Sequence, residues 1–107
     1  MLDSLPCDGS FYDEILGVFL GSVSDLIEGL ERSYADADAS QLEFFAHRFC
    51  SAAGTIGALR LSRRCQELEH GVTDASALDP LVEAVRDETA NVLAWAAVHR
   101  PGVVGAA

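Results

Sequence analysis

The chain has 107 residues, half of them hydrophobic and 22% charged, a composition typical of one globular domain and not of a disordered chain. Its net charge of −10 argues against nucleic acid and acidic lipid as partners, because an acidic surface repels both. No apolar run is long enough to span a membrane, and no basic segment precedes an apolar one as in a secretory signal. The three cysteines form no C-x-x-C pair, so we expect reduced thiols, no zinc site and a cytoplasmic location.

The first predicted helix begins after Asp8 or Ser10, either of which could act as its N-cap. Apolar side chains then recur at steps of three and four, the spacing of one helix face: Tyr12, Ile15, Phe19, Val23, Leu26 and Leu30. The polar stretch YADADAS interrupts this pattern. We therefore expect the first helix to end near this stretch.

Two alternative capping boxes lie at the end of the polar stretch, Asp38 with Gln41 and Ser40 with Glu43. Either one predicts the start of a second helix, which runs to about Ala53. The sequence GTIG then predicts a turn, in which Gly54 or Gly57 can adopt positive φ.

A third helix is predicted from about Gly57 to His70, with Gly71 as its stop. The segment VTDASALDP is predicted to be a loop. Ser76 or Asp79 then caps a fourth helix. Four amphipathic helices with short connections predict an all-α fold, an antiparallel up-down four-helix bundle. We expect a single domain over residues 1–107, with its core at about 10–98 and flexible ends at 1–9 and 99–107.

His47 lies in the apolar run FFAHRFCSAAGTIGALRL. At about 100° per residue, one face of the second helix is predicted to be buried: Leu42, Phe45, Phe49, Ala52 and Ile56. His47 lies roughly 170° from the centre of that face and points outward. Its neighbours on the wheel include Phe44, Cys50, Ser51 and Gly54, and Phe44 could instead pack under the first helix. The wheel thus predicts an exposed histidine on a surface that a partner could approach.

Four of the seven basic residues, all arginines, fall at positions 48, 60, 63 and 64. In a helical hairpin that turns near residues 55 and 56, position 47 is level with position 64. Two interpretations follow. In the first, the arginines form only a solvated surface paired with Glu67 and Glu69. In the second, they form a positive rim for a phosphoryl group or an acidic partner.

The segment AHRFCSAAGTIGALRLSRRCQELE resembles the signature of histidine-containing phosphotransfer (Hpt) domains. That signature is approximately His-x-Leu-Lys-Gly-Ser-Ala-x-x-Leu-Gly-Ala-x-x-Leu, followed by a Cys and a Leu-Glu pair. His47 occupies the phosphorylated position, and the other matches are Phe49, Ile56, Gly57-Ala58, Leu61, Cys65 and Leu68-Glu69. The chain departs from the signature at Cys50-Ser51, where the family has a lysine near the phosphoryl group and a glycine that allows close approach.

The resemblance implies that His47 accepts a phosphoryl group from a receiver-domain aspartate and passes it to another receiver. The surface around His47 is the predicted docking site of the partner, with Phe44, Arg48, Cys50, Ser51 and Gly54. With the family lysine replaced, we predict that Arg60 and Arg64 neutralise the phosphoryl charge.

The expected partners are a response-regulator receiver domain, a hybrid histidine kinase, or both. We expect no autokinase activity, because the sequence has no nucleotide-binding motif. We also expect no cofactor and no metal, and we expect a monomer. Two alternatives stay open. One is a docking module that binds a receiver or kinase without transferring phosphate, and the weaker one is a redox sensor that uses an exposed Cys50.

Overall fold

The computed structural model describes residues 9–100, which form four helices. They are α1 (Gly9–Ala35), α2 (Ala39–Thr55), α3 (Leu59–Gly71) and α4 (Ala75–His99). The predicted all-α class is confirmed, and the described part contains no strand. Within this part, no helix is long and apolar enough to cross a membrane. The predicted flexible ends lie largely outside the described residues.

The helices pack in chain order, α1 on α2, α2 on α3 and α3 on α4. The ends of α1 and α4 show their relative direction. Asp13 near the start of α1 lies 3.4 Å from Nε of Arg100, just past the end of α4, and Glu31 near the end of α1 binds Arg86 in the middle of α4. The two helices are therefore antiparallel, as an up-down bundle requires.

The loop between α1 and α2 matches the first of the two predicted capping boxes. The Asp38 side chain accepts a hydrogen bond from the backbone N–H of Gln41 at 3.1 Å, which satisfies one of the unpaired donors at the start of α2. α2 ends at Thr55, two residues later than predicted. Gly57 is the glycine that adopts positive φ, at 78°.

The predicted start of the fourth helix is wrong. α4 begins at Ala75, and its N-cap is Asp74 rather than Ser76 or Asp79. The Asp74 carboxylate accepts hydrogen bonds from the backbone N–H of Ser76 at 3.1 Å and from its hydroxyl at 2.7 Å. Pro80 consequently lies inside the helix, beyond the first-turn position that was expected for it.

The buried face of α2 is broader than predicted, because α2 contacts both α1 and α3. Leu42, Phe49 and Ile56 are buried as expected, whereas the predicted Phe45 and Ala52 are only partly buried. Ala46 and Ala53 are fully buried instead. The centre of the buried face is thus rotated by roughly 40°, which still leaves His47 about 140° from it, on the outer surface.

Candidate functional site

His47 lies near the middle of α2, and its side chain is 66% exposed. The rigid helix holds the residue, since the buried side chains of α2 anchor the opposite face in the core. Its orientation is the one that the helical wheel predicts. An exposed imidazole on a packed helix can meet a reacting group on another protein without any rearrangement of the bundle.

One ring nitrogen of His47 contacts a carboxylate. Nδ1 of His47 lies 2.9 Å from Oε2 of Glu69 on α3, and the Glu69 side chain is 21% exposed. In a neutral imidazole one nitrogen donates and the other accepts, so a carboxylate partner favours the tautomer that carries its proton on Nδ1. Nε2 then carries the lone pair. The contact thus leaves Nε2 as the basic nitrogen of the ring.

Sequence reasoning missed this contact because it placed the hairpin turn too early. The turn is formed by residues 56–58 instead of 55 and 56. The α3 residue that lies beside His47 is therefore further along the chain than Arg64. Helical side chains also lean toward the N-terminus of their helix, so His47 leans toward the end of α2 that lies beside the end of α3. The one sign of this contact in the sequence was the Leu68-Glu69 pair, which matches the Leu-Glu pair at the end of the signature described above.

Phe44 is exposed, and a neighbouring phenylalanine packs under α1 in its place. Phe44 is 49% exposed, whereas the ring of Phe45 fills the space beside Gly29 of α1, where even a Cβ atom would collide with it. The two rings meet edge to face at 5.4 Å between centroids. The Arg48 guanidinium lies 5.5 Å above the Phe44 ring. Phe44, about one helical turn before His47, and Arg48, the next residue in the chain, thus form one apolar and cationic patch beside the histidine.

Cys50, Ser51 and Gly54 lie on the C-terminal side of His47. The redox alternative assumed an exposed Cys50, whereas Cys50 is half-buried. Its Sγ lies 3.4 Å from Oγ of Ser62 on α3. The Ser62 hydroxyl donates to the backbone carbonyl of Cys50 at 3.1 Å. Ser51 is exposed. A Cβ at Gly54 would lie 3.7 Å from Ser62 Oγ, an ordinary contact, so packing within the bundle does not demand a glycine there.

Each of the two arginines predicted to neutralise a phosphoryl group contacts a carboxylate. Nη1 of Arg64 donates to Oε1 of Glu67 at 2.9 Å, and this hydrogen bond raises the pKa of Arg64. Nε of Arg60 donates to Oε2 of Glu88 on α4 at 3.2 Å. The predicted pairing with Glu67 is confirmed for Arg64, whereas the other predicted acidic partner, Glu69, contacts His47.

Cys65 belongs to the core. It is fully buried, and burial together with the nearby Cys50 raises the pKa of its thiol to about 12. A thiol with such a pKa is unreactive at neutral pH. Residues 9–100 contain no cluster of three or more His, Cys, Asp or Glu residues that could hold a metal ion.

The family model of the Hpt domain matches residues 14–95. The matched segment begins in α1 and ends in α4, so it includes the whole α2–α3 hairpin with His47 and Glu69. Comparison with curated proteins gives no match, and neither does comparison with solved structures.

Proposed function

The chain belongs to the Hpt domain family of phosphorelay signalling, and we propose that it relays phosphate through His47. Hpt domains are phosphotransfer modules rather than kinases, and they work with receiver domains and histidine kinases. The observation that supports His47 as the relay residue is its exposed imidazole, with Nδ1 held by Glu69 at 2.9 Å and Nε2 left to react.

In the proposed reaction, Nε2 of His47 attacks the phosphorus of a receiver's aspartyl phosphate. The Nε2–P bond forms as the P–O bond breaks, and the aspartate leaves as a carboxylate. The proton on Nδ1 stays in place, so the product is a phosphoimidazolium whose positive ring faces the Glu69 carboxylate. Donation to a second receiver is the reverse reaction. Phosphoryl transfer depends on positioning and charge neutralisation, and the Glu69 contact supplies positioning on the Hpt side.

The docking surface in this proposal consists of Phe44, Arg48, Cys50, Ser51 and Gly54 around His47. Phe44 supplies exposed apolar area and Arg48 supplies charge. Charge neutralisation by Arg60 and Arg64 stays a prediction. Of the two, Arg64 has the weaker competing contact, because Glu67 is an exposed neighbour on the same helix. To contact a phosphoryl group, Arg60 would have to break or share its ion pair with Glu88, whose side chain is only 10% exposed.

The direct test is a phosphotransfer assay with His47→Gln. The protein is incubated with phosphorylated receiver domains encoded near its gene, and the transferred label is tested for acid lability, the property of a phosphohistidine. We expect His47→Gln to abolish labelling and to leave the helical circular dichroism and melting temperature unchanged, because the side chain is exposed. His70→Gln is the matched control, since His70 is an exposed histidine on α3, and it should be labelled normally. Acid-stable labelling of the parent, or labelling of His47→Gln, would contradict the proposal.

A second candidate function is a docking module that binds a receiver or kinase without accepting phosphate. Cys50-Ser51, in place of the family's Lys-Gly, favours it. If the domain does transfer phosphate, Arg64→Ala should slow transfer several-fold, because an exposed charge contact contributes only modestly, and Cys50→Lys should restore the rate in that background. Unchanged transfer rates in Arg60→Ala, Arg64→Ala and the double variant would mean that these arginines form only a solvated surface. Transfer that appears only after Cys50→Lys would establish the docking module.

A further inference from the structure

A cavity of about 750 Å³ lies between the N-terminal part of α1 and the C-terminal part of α4. Its walls are largely apolar and include two aromatic side chains, with Tyr12 and Leu16 on α1 and Val92 and Trp95 on α4. The α2–α3 turn contributes Ile56, whose backbone carbonyl accepts a 3.0 Å hydrogen bond from the Tyr12 hydroxyl. The volume lies within the range of small-molecule sites, which are typically apolar with a few polar groups.

The splayed arrangement of the helices explains the cavity. α1 and α4 pack on their chain neighbours but lie further from each other, and near this end they are joined through Asp13 and Arg100 at 3.4 Å. The α2–α3 turn and the first residues of α3 close one side of the cavity. The phosphorelay site uses none of these apolar residues.

The polar end of the cavity carries an exposed cation. Arg60 lines the cavity, and its side chain is 79% exposed. Nε and Nη2 of Arg60 both lie 3.2 Å from Oε2 of Glu88, and Oε1 of Glu88 accepts from Asn91 at 3.2 Å. Arg60 therefore compensates the charge of Glu88. A guanidinium has five N–H donors. Among residues 9–100 no carboxylate contacts Nη1 of Arg60, so its two N–H groups can face an anion at the cavity mouth.

We propose that this cavity binds a small amphipathic carboxylate. The carboxylate lies on the outer edge of Arg60, and the apolar part of the ligand lies between Tyr12 and Trp95. The apolar walls supply the hydrophobic contribution, and a charge-assisted hydrogen bond from Arg60 distinguishes the carboxylate from an alcohol of the same chain length. Apart from Arg60, the cavity shares no residue with the phosphorelay surface proposed around His47.

The test compares octanoate with 1-octanol on the full chain. Trp95 is the only tryptophan in the sequence, so its fluorescence reports on the cavity directly. We expect a saturable change for both ligands, with octanoate bound about five-fold more tightly. Arg60→Gln should remove the preference for octanoate and keep the affinity for octanol. Arg63→Gln is the matched control, because Arg63 is an exposed arginine of α3 that does not line the cavity, and it should keep the preference.

Val92→Phe, which adds volume inside the cavity, should weaken both ligands while the helical circular dichroism is retained. Three outcomes would overturn the proposal. One is the lack of a saturable change with either ligand, and another is equal affinity for the two ligands in the parent. The third is octanoate binding by a folded variant that ends at Arg100 but not by the full chain, which would identify residues 101–107 as the occupant.

Discussion

His47 and Glu69 make the contact on which the proposed chemistry depends. Their 2.9 Å separation connects α2 to α3 through side chains that are both accessible to water. The contact stabilises one tautomer and one orientation of the ring, and it places a negative charge beside the phosphoimidazolium that forms on transfer. Because the site is exposed, we expect this contribution to be modest.

Glu69→Gln should slow phosphate transfer about five-fold, corresponding to roughly 1 kcal/mol. The amide oxygen of glutamine can still accept a hydrogen bond from the N–H of Nδ1, but it carries no charge to stabilise the cation. Glu69→Ala should slow transfer further, since both the hydrogen bond and the charge are lost. The measurement is the single-turnover transfer rate from a phosphorylated receiver.

Gln66→Ala serves as the control for the Glu69 variants, because Gln66 is an exposed residue on the same helix. It should transfer at the parental rate. If Glu69→Ala also matched the parent, the contact would have no part in the reaction, and Nε2 would owe its reactivity to exposure alone.

At the level of the helices, α1 and α2 end with the same hydrogen-bond pattern but with different residues in the left-handed position. After α1, the N–H of Ala37 donates to Tyr34 O and that of Asp38 to Ser33 O. After α2, the N–H of Gly57 donates to Gly54 O and that of Ala58 to Ala53 O. Both are Schellman motifs. Their left-handed residues are Ala37, with φ of 55°, and Gly57, with φ of 78°.

Ala37→Gly should therefore raise the free energy of unfolding by up to about 1 kcal/mol, because a Cβ is unfavourable at positive φ. Gly57→Ala should lower it by a similar amount, and urea denaturation measures both. Ala35→Gly is the control, since Ala35 is the last helical residue of α1 and glycine there should destabilise. A loss of stability in Ala37→Gly as large as in Ala35→Gly would show that Ala37 is not left-handed in solution.

At the scale of the whole molecule, the junction of α1 with α4 differs from the other helix pairs because ion pairs form much of the contact between the two helices. Arg86 of α4 binds Glu31 of α1, with Nε donating at 3.0 Å, and it also binds Glu83 of its own helix at 3.0 Å. The hydrogen bond from Arg86 lowers the pKa of Glu31. Both side chains are more than one third exposed, so screening by water and salt limits the stabilisation.

The lowered pKa of Glu31 predicts a pH dependence of stability. A carboxyl whose pKa is lower in the folded state stabilises the fold above its unfolded pKa of about 4.3, and loses this effect as the pH falls through the folded-state value. Glu31→Gln should thus lower the free energy of unfolding at pH 7 by less than about 1 kcal/mol. At about pH 3 the difference from the parent should become smaller.

Urea denaturation of both proteins at the two pH values measures this effect. Glu28→Gln is the control, because Glu28 pairs with Arg32 within α1 and does not connect two helices. A difference between Glu31→Gln and the parent that stayed the same at both pH values would mean that glutamine alters packing rather than charge.

Much of this protein follows from local sequence patterns. Helix faces depend on residue spacing, so the four helices and the outward direction of His47 could be predicted. The Asp38 cap depends on residues only three apart. The resemblance of the segment around His47 to the Hpt signature also lies within one hairpin, and the family match over residues 14–95 confirms it.

Tertiary structure decided the features that depend on how far one helix is displaced along another. The hairpin turn is centred about 1.5 residues later than predicted, which moves the α3 residue level with His47 about three positions beyond Arg64. The lean of both side chains toward the N-termini of their helices then brings His47 to Glu69. Contact with Gly29 of α1 partly buries Phe45, whereas Phe44 is exposed. The separation of α1 and α4, which creates the cavity, involves residues about 80 positions apart in the chain. Helical periodicity carries no information on such distances, because it describes each helix alone and not the side chains of the helix that packs against it.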